Sequence, residues 1–280
     1  MKYYVLYNPQ AGNESGATHA KEVETLFENG EFSYVDVTSE NGYSYLFSNI
    51  QAEDGVIVCG GDGTLNRFAN ATRGKELGKE VWYYACGTGN DFFREVEQEG
   101  NKLVNVQTYL QNLPEVTVNG ESYVFINGVG YGIDGYCCEV GDEMRGKSDK
   151  PVNYTAIAIK GLLFHYKPTN ATVVVDGKEY QFKKVWIAPT MNGKYYGGGM
   201  MPAPEQDRKG DKLSVMVFHD TGKLKTLMIF PSLFKGEHVK HTKYVTVLEG
   251  KEITVKFDAP RPLQIDGETV LGVTEYTAKK

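Results

Sequence analysis

Long apolar runs are missing from this chain of 280 residues. Even its greasiest stretch, Tyr154 to Tyr166, is interrupted by Lys160 and falls short of the roughly 20 apolar residues that a membrane-crossing helix needs. A helical integral membrane protein is therefore excluded. Cysteine is scarce too. Cys59, Cys86, Cys137 and Cys138 contain no C-x-x-C pair and two of them are adjacent, which suits neither a structural zinc site nor a disulfide framework. They read as buried, reduced thiols. Positive charge is also short: 30 Lys and Arg stand against 36 Asp and Glu, a net charge of −6, whereas phosphate neutralisation by a general nucleic-acid binder needs concentrated positive charge. Repeats, low-complexity tracts and flexible linkers are absent. The opening Met1-Lys2-Tyr3-Tyr4-Val5-Leu6-Tyr7-Asn8-Pro9 reaches polar residues too soon for a secretory signal and reads as a first strand of a cytoplasmic protein.

What is present is enough apolar residue, 41%, for well-packed cores, in a length that allows two domains. The first part alternates strand and helix. A strand at Tyr3 to Tyr7 precedes a helix near Ala17 to Glu28 with Gly30 as its stop; a strand at Phe32 to Val37 precedes a helix around Tyr43 to Ala52. Gly55 to Cys59 is continuously apolar, as the buried centre of a parallel sheet should be. Leu65, Phe68, Ala69 and Thr72 then recur at helical spacing, with Thr64 as cap and Gly74 as stop, before a strand at Val81 to Ala85. The pattern predicts an α/β open sheet, with sites at the carboxyl ends of its strands. After about Pro114 the rhythm becomes that of hairpins, with strands ending at Asn119-Gly120 and Asp176-Gly177, and further strands at Lys184 to Ala188, Leu213 to Phe218, Tyr244 to Leu248 and Ile253 to Phe257. Helical segments at Tyr154 to His165 and near Leu224 to Phe234 interrupt this mainly β domain. The expected domains are 1–114, joined by the tail 271–280, and 115–270.

The strongest chemical signal is Gly60-Gly61-Asp62-Gly63-Thr64, which links a buried strand to a helix N-terminus. Glycines let backbone N–H groups approach phosphate oxygens, and the helix end adds partial positive charge. Asp62 would repel a bare phosphate, so its presence suggests Mg²⁺ or an ordered water between carboxylate and nucleotide. A second loop, Gly87-Thr88-Gly89-Asn90-Asp91, supplies more donors and another carboxylate, with Asp91 also placed to cap the helix Phe92 to Val96. Asn8-Pro9-Gln10-Ala11-Gly12 is a third strand-end loop. Near the far end, Asp266-Gly267-Glu268 reads in two ways: as carboxylates sent to one face of a strand, one a base and one a metal partner, or as a plain D-G turn. Between Gly222 and Lys243, five lysines face the single acid Glu237, a surface that either rests on anionic lipid headgroups or is simply solvated. His238 and His241 are spaced for a metal but lack a third ligand.

Together these segments resemble the soluble diacylglycerol kinase catalytic family, which includes bacterial lipid kinases and is related to sphingosine and ceramide kinases. Asn8 to Gly12 resembles its N-P-x-x-G, Gly60 to Thr64 its G-G-D-G-T, Gly87 to Asp91 its G-T-x-N-D and Asp266 to Glu268 its D-G-E, in the family's order; Gly128 to Asp134 and Gly197 to Pro204 are softer matches. G-G-D-G-T alone is shared with NAD kinases. The resemblance implies an α/β nucleotide-binding domain facing a β-sandwich across an interdomain cleft that holds ATP and Mg²⁺. It implies Asp266 as general base, Glu268, Asp62 and Asp91 around the metal, and Asn8, Gly60, Gly61, Asp62, Gly63, Thr64, Gly87, Thr88 and Asn90 around the nucleotide. The acceptor implied is a lipid alcohol met at the membrane surface by peripheral contact, diacylglycerol first, with a sphingoid base, a polyprenol or NAD as alternatives. A sensor that binds nucleotide without turnover is disfavoured by the four carboxylates, and a homodimer stays open. Arg67 stands where the family commonly has glutamate, Glu115 where it often has aspartate, and Gly210 to Ser214 rearranges its D-G-x-L-D.

Overall fold

The computed structural model describes residues 1–11, 15–97, 102–147 and 154–280; Gly12 of the first loop lies outside them. The chain divides into two compact units, Met1–Leu113 and Pro114–Lys280.

The first unit is built on a five-stranded sheet of β1 (Lys2–Tyr7), β2 (Glu31–Asp36), β3 (Gly55–Gly60), β4 (Glu80–Ala85) and β5 (Leu103–Asn105), in the order β2-β1-β3-β4-β5. The first four strands run parallel and β5 is antiparallel to β4. Every residue of β3 is buried because helices cover both of its faces, which is why its sequence is an unbroken apolar run rather than an alternating one. Helix α1 (Gly16–Glu22) continues only as a 3-10 turn to Leu26, so Gly30 is not its stop. The chain leaves the helix because Phe27 turns extended and packs its ring 4.6 Å from Tyr3 and 6.2 Å from Trp82. Helix α2 spans Gly42–Asn49 and α3 spans Asp62–Ala71, so Thr64 lies inside α3 and Gly61 occupies its N-cap. Two short helices, α4 (Asp91–Val96) and α5 (Gln107–Leu110), complete the unit.

The second unit is a β-sandwich made by a ten-stranded sheet folded over a common core. Its strands are β6 (Glu115–Val118), β7 (Glu121–Val124), β8 (Gly128–Tyr131), β9 (Thr169–Val175), β10 (Lys178–Val185), β11 (Thr190–Met191), β12 (Leu213–Phe218), β13 (Val245–Gly250), β14 (Glu252–Ile265) and β15 (Glu268–Lys279). The long strand β14 is the hinge of the architecture: its first half pairs with β9, its last residues pair with β8, and β15 runs along it. Strand β12 shows the layering. Leu213, Val215 and Val217 enter the inner core with Tyr131, Val255 and Tyr276, while Met216 and Phe218 enter a second core beneath the helices with Trp186, Ile229 and Leu233. Those helices are α6 (Ile133–Arg145), α7 (Tyr154–Lys160), which continues as a π turn to His165, and α8 (Lys223–Ile229). The tail 271–280 belongs to this unit and not the first, because Val273, Tyr276 and Ala278 of β15 are buried in its inner core and Tyr276 to Lys279 pair with β6.

Candidate functional site

In the first unit, parallel pairing brings three loops to one sheet edge. Tyr7 pairs with Cys59 and Gly60 with Ala85, so the loops after β1, β3 and β4 leave side by side at the carboxyl ends of their strands. With this strand order, the connection reverses direction between β1 and β3, the crevice where open α/β sheets bind ligands. The glycine loops fit by backbone contact. A methyl group on Gly87 would lie 2.4 Å from Gly61 Cα, and one on Gly60 would lie 2.4 Å from Thr64 Oγ1, so neither site accepts a side chain without displacement. Gly63 differs: a methyl group there meets nothing within 4 Å. Glycine at that position leaves open space at the first turn of α3, where Leu65 N–H to Gly61 O, 3.1 Å, is the opening helical bond and the earlier N–H groups have no acceptor within the helix. An anionic phosphate suits that space.

The polar residues of these loops organise the loops themselves. Asp62 accepts hydrogen bonds from the N–H groups of Asp91 (2.9 Å) and Phe92 (2.8 Å), and so caps α4 from across the sheet edge. Asp91 is not the N-cap; Asn90 holds that position in a left-handed conformation, and its carboxamide binds both N–H and C=O of Gly87. Asn8 accepts the N–H of Gln10 at 2.9 Å, closing a local turn. Thr64 is buried against Gly60, whereas Thr88 is exposed. Among the described residues no group of three or more His, Cys, Asp or Glu side chains gathers as a metal site. The expected Mg²⁺ set therefore forms no ready-made cage, and a metal would take most of its ligands from phosphates and water, as Mg²⁺ commonly does. The thiols of Cys59 and Cys86 border this region, and burial raises both, Cys86 to about 11, which keeps them protonated.

In the second unit, Asp266 and Gly267 form the two-residue turn joining Ile265 to its cross-strand partner Glu268. Both turn residues have positive φ, 47° and 98°, the geometry that selects Asp-Gly in tight hairpins. This corrects the picture of two carboxylates on one strand face: Asp266 is in the turn and Glu268 is the exposed first residue of β15. The Asp266 carboxylate accepts three consecutive backbone N–H groups, from Ile126 at Oδ2 and from Asn127 (2.8 Å) and Gly128 (2.9 Å) at Oδ1. That segment is fixed in turn by buried side chains. Asn192 Nδ2 donates to Ile126 O at 2.9 Å, and Arg208 donates to Ile126 O and, at 2.8 Å, to Asn127 Oδ1.

A second buried group supports the other side of the turn. Gln264 Oε1 accepts the N–H of Gly267 at 2.6 Å, while its amide lies against Asp134, to which Tyr196 also donates at 3.2 Å. Gly130 makes this possible, since a methyl group there would fall 1.7 Å from Asp134 Oδ2 and 2.5 Å from Gln264 Nε2. Burial raises the Asp134 carboxyl to about 6, partly offset by hydrogen bonds from Gly135, Tyr196 and Gln264. The softer motif Gly128 to Asp134 included Asp134 without a role for it, and no motif pointed to Gln264 or Arg208. His238 is a core histidine, fully buried with Nε2 bonded to Pro202 O at 2.9 Å. Asp211 pairs with Lys251 at 2.6 Å; Arg67 and Glu115 are exposed.

Comparison with known proteins matches residues 2–118 to the diacylglycerol kinase catalytic domain and residues 127–278 to the YegS C-terminal NAD kinase beta sandwich-like domain. The chain belongs to the bacterial diacylglycerol kinase family of lipid kinases. It is 24% identical over 251 residues to a diacylglycerol kinase of Mycobacterium tuberculosis, covering 85% of this chain and 80% of that one. It is 21% identical over 275 residues to a diacylglycerol kinase of Bacillus subtilis, covering 94% and 88%. The fold of this family member is that of a Bacillus anthracis diacylglycerol kinase crystal structure, with a TM-score of 0.62 at 17% identity, covering 100% of this chain and 93% of that one.

Proposed function

We propose that this lipid kinase transfers the γ-phosphate of ATP to the hydroxyl of diacylglycerol, giving phosphatidic acid and ADP. The observation that carries the reading is the Asp266 carboxylate, fixed by the N–H groups of Ile126, Asn127 and Gly128. Asp266 takes the hydroxyl proton as the lipid oxygen bonds to the γ-phosphorus and the bond to the β,γ-bridging oxygen breaks. The open first turn of α3, bordered by Gly63, receives the phosphates, with Gly61, Gly87, Thr88, Asn90 and Asn8 shaping the neighbouring loops. Asp62, Asp91 and Glu268 would hold Mg²⁺ through water, and the ion would supply neutralisation of phosphate charge. In this reading the chain is cytoplasmic and visits a membrane surface for its substrate.

NAD is the acceptor to set against diacylglycerol, because the matched sandwich domain is described as similar to that of NAD kinase. Labelled γ-phosphate offered with magnesium to diacylglycerol, sphingosine, undecaprenol and NAD in mixed micelles separates the readings: labelled phosphatidic acid supports diacylglycerol, and labelled NAD alone overturns it. The nucleotide assignment has its own test. Gly63→Ala fills open space in a helix, where alanine is favoured by about 1 kcal/mol, so the variant should be at least as stable as the parent yet bind ATP at least about tenfold more weakly. Unchanged ATP affinity in titration calorimetry would remove the phosphates from α3.

A further inference from the structure

Helix α8 is apolar on the wrong side. Its inner face is accounted for: Thr226 and Ile229 are buried, and Leu227 and Phe230 pack half-buried against the second core. A surface helix with that face inward should carry polar residues outward. Instead Leu224 and Met228, one turn apart on the outer face, are 77% and 74% exposed. The neighbouring π turn Gly161–His165 is tied to this helix by Lys223 Nζ, which donates to Leu163 O at 2.6 Å, and it presents Phe164 at 72% exposure. Three large apolar side chains on two packed elements thus face outward together.

The charge on these segments is basic, with the exposed Asp220 ahead of α8 and Glu139 of α6 beside His165 as the acids at their edge. Lys160 at the end of α7, Lys223 and Lys225 on α8, and Lys235 in the 3-10 turn that follows it are exposed. From 154 to 170 there is no Asp or Glu, and from 222 to 243 the single acid, Glu237, is paired with Lys240 at 3.2 Å. In a chain of net charge −6 this is a local excess and not the average surface. A soluble protein partner would need to match both an apolar centre and a basic surround; a bilayer bearing anionic headgroups supplies both over any such area.

We propose that Phe164, Leu224 and Met228 form a docking surface for an anionic membrane, entering the boundary between headgroups and acyl chains while the lysines meet lipid phosphates. The proposal rests on the lipid kinase reading, since it gives the means by which the second unit reaches a substrate dissolved in a bilayer. The bond is reversible, because it combines a few apolar side chains with screened charge and no membrane-spanning helix exists among the described residues.

Co-sedimentation with vesicles tests it. Parent protein should bind vesicles of phosphatidylglycerol and phosphatidylcholine and not of phosphatidylcholine alone, with binding falling as salt rises. The double variant Leu224→Gln and Met228→Gln should bind at least about tenfold more weakly. Lys225→Glu with Lys235→Glu, at exposed positions of which Lys225 lies 5.7 Å over the Tyr244 ring, should lose binding to anionic vesicles by a similar factor. Phosphate transfer to a short-chain, water-soluble diacylglycerol should be unchanged in all of these, while transfer to the vesicle-embedded lipid falls. If the variants bind anionic vesicles as the parent does, or if the double variant turns a dimer into a monomer in sedimentation equilibrium with vesicle binding kept, the surface is not a membrane contact. Absence of transfer to the soluble lipid by the parent would instead overturn the substrate reading, whatever the vesicles show.

Discussion

Two Asp-Gly turns in the second unit look alike in sequence and in backbone, yet they are built into the molecule differently. Asp176-Gly177 joins β9 to β10, Asp266-Gly267 joins β14 to β15, and all four residues have positive φ, from 47° to 98°. Each aspartate accepts backbone N–H groups from another part of the chain. Asp176 receives two, from Lys251 and Glu252, both on Oδ1 at 2.9 Å. Asp266 receives three and uses both oxygens. Behind Asp176 lies an ordinary hairpin, but behind Asp266 lie Gln264, Asp134, Asn192 and Arg208, all buried. The dipeptide itself is hairpin chemistry. What marks one turn as a candidate for catalysis is the buried polar support that fixes its carboxylate, because burying such groups costs stability that hydrogen bonds offset only in part.

The comparison breaks most sharply under a matched substitution. Asp266→Asn should lower kcat by about 10³-fold, within the range for loss of a general base, while ATP affinity is retained. It should also cost about 1–3 kcal/mol, since an amide cannot accept N–H bonds at both ends. Equal kcat in parent and variant would remove Asp266 from catalysis. The next largest effect concerns Asp134, whose carboxyl is raised by burial from 3.8 to about 6. The folded protein keeps that proton through a window in which the unfolded chain has released it, so stability falls as pH rises from about 4 to 6, by up to about 3 kcal/mol, and then levels. Asp134→Asn should abolish that fall, and parallel pH dependences of denaturant unfolding for the two proteins would contradict the burial argument.

Gln264→Leu leaves the Gly267 N–H without its acceptor and loosens the turn; a fall of about tenfold in kcat with little change in KM for ATP is expected from steady-state kinetics. A change confined to KM would mean that Gln264 does not act through the turn. The smallest effect belongs to the control. Asp176→Asn keeps one oxygen for both N–H groups and a residue that tolerates positive φ, so unfolding and activity should both stay near the parent's, stability within about 0.5 kcal/mol. A large loss of activity there would dissolve the contrast between the two turns.

Much of the first unit was legible because its signals are local. An unbroken apolar strand, a glycine loop and an amphipathic helix state their structure within a few residues, and parallel pairing then puts the loops together. The second unit was less so. Helix α6 went unread because Gly135 and Gly141 argue against a helix on propensity; tertiary contact overrides this, as a methyl group would fall 2.0 Å from Pro262 O at the first and 2.7 Å from the Tyr154 ring at the second. Strand β15 was hidden because its partners, β14 and β6, are set by long-range pairing. Within the site, the motif carboxylates Asp62 and Asp266 could be found by spacing, but their backbone partners could not. Arg208 and Asn192 had no motif at all; they matter through what they hold, and only the fold brings them to residues 126–128.

The most direct test is a paired assay of product from labelled ATP and diacylglycerol with magnesium, run on the parent, Asp176→Asn and Asp266→Asn at matched ATP saturation. The account predicts labelled phosphatidic acid from the first two and almost none from the third. Labelled phosphatidic acid from all three at similar rates, or from none while NAD is labelled, would contradict it.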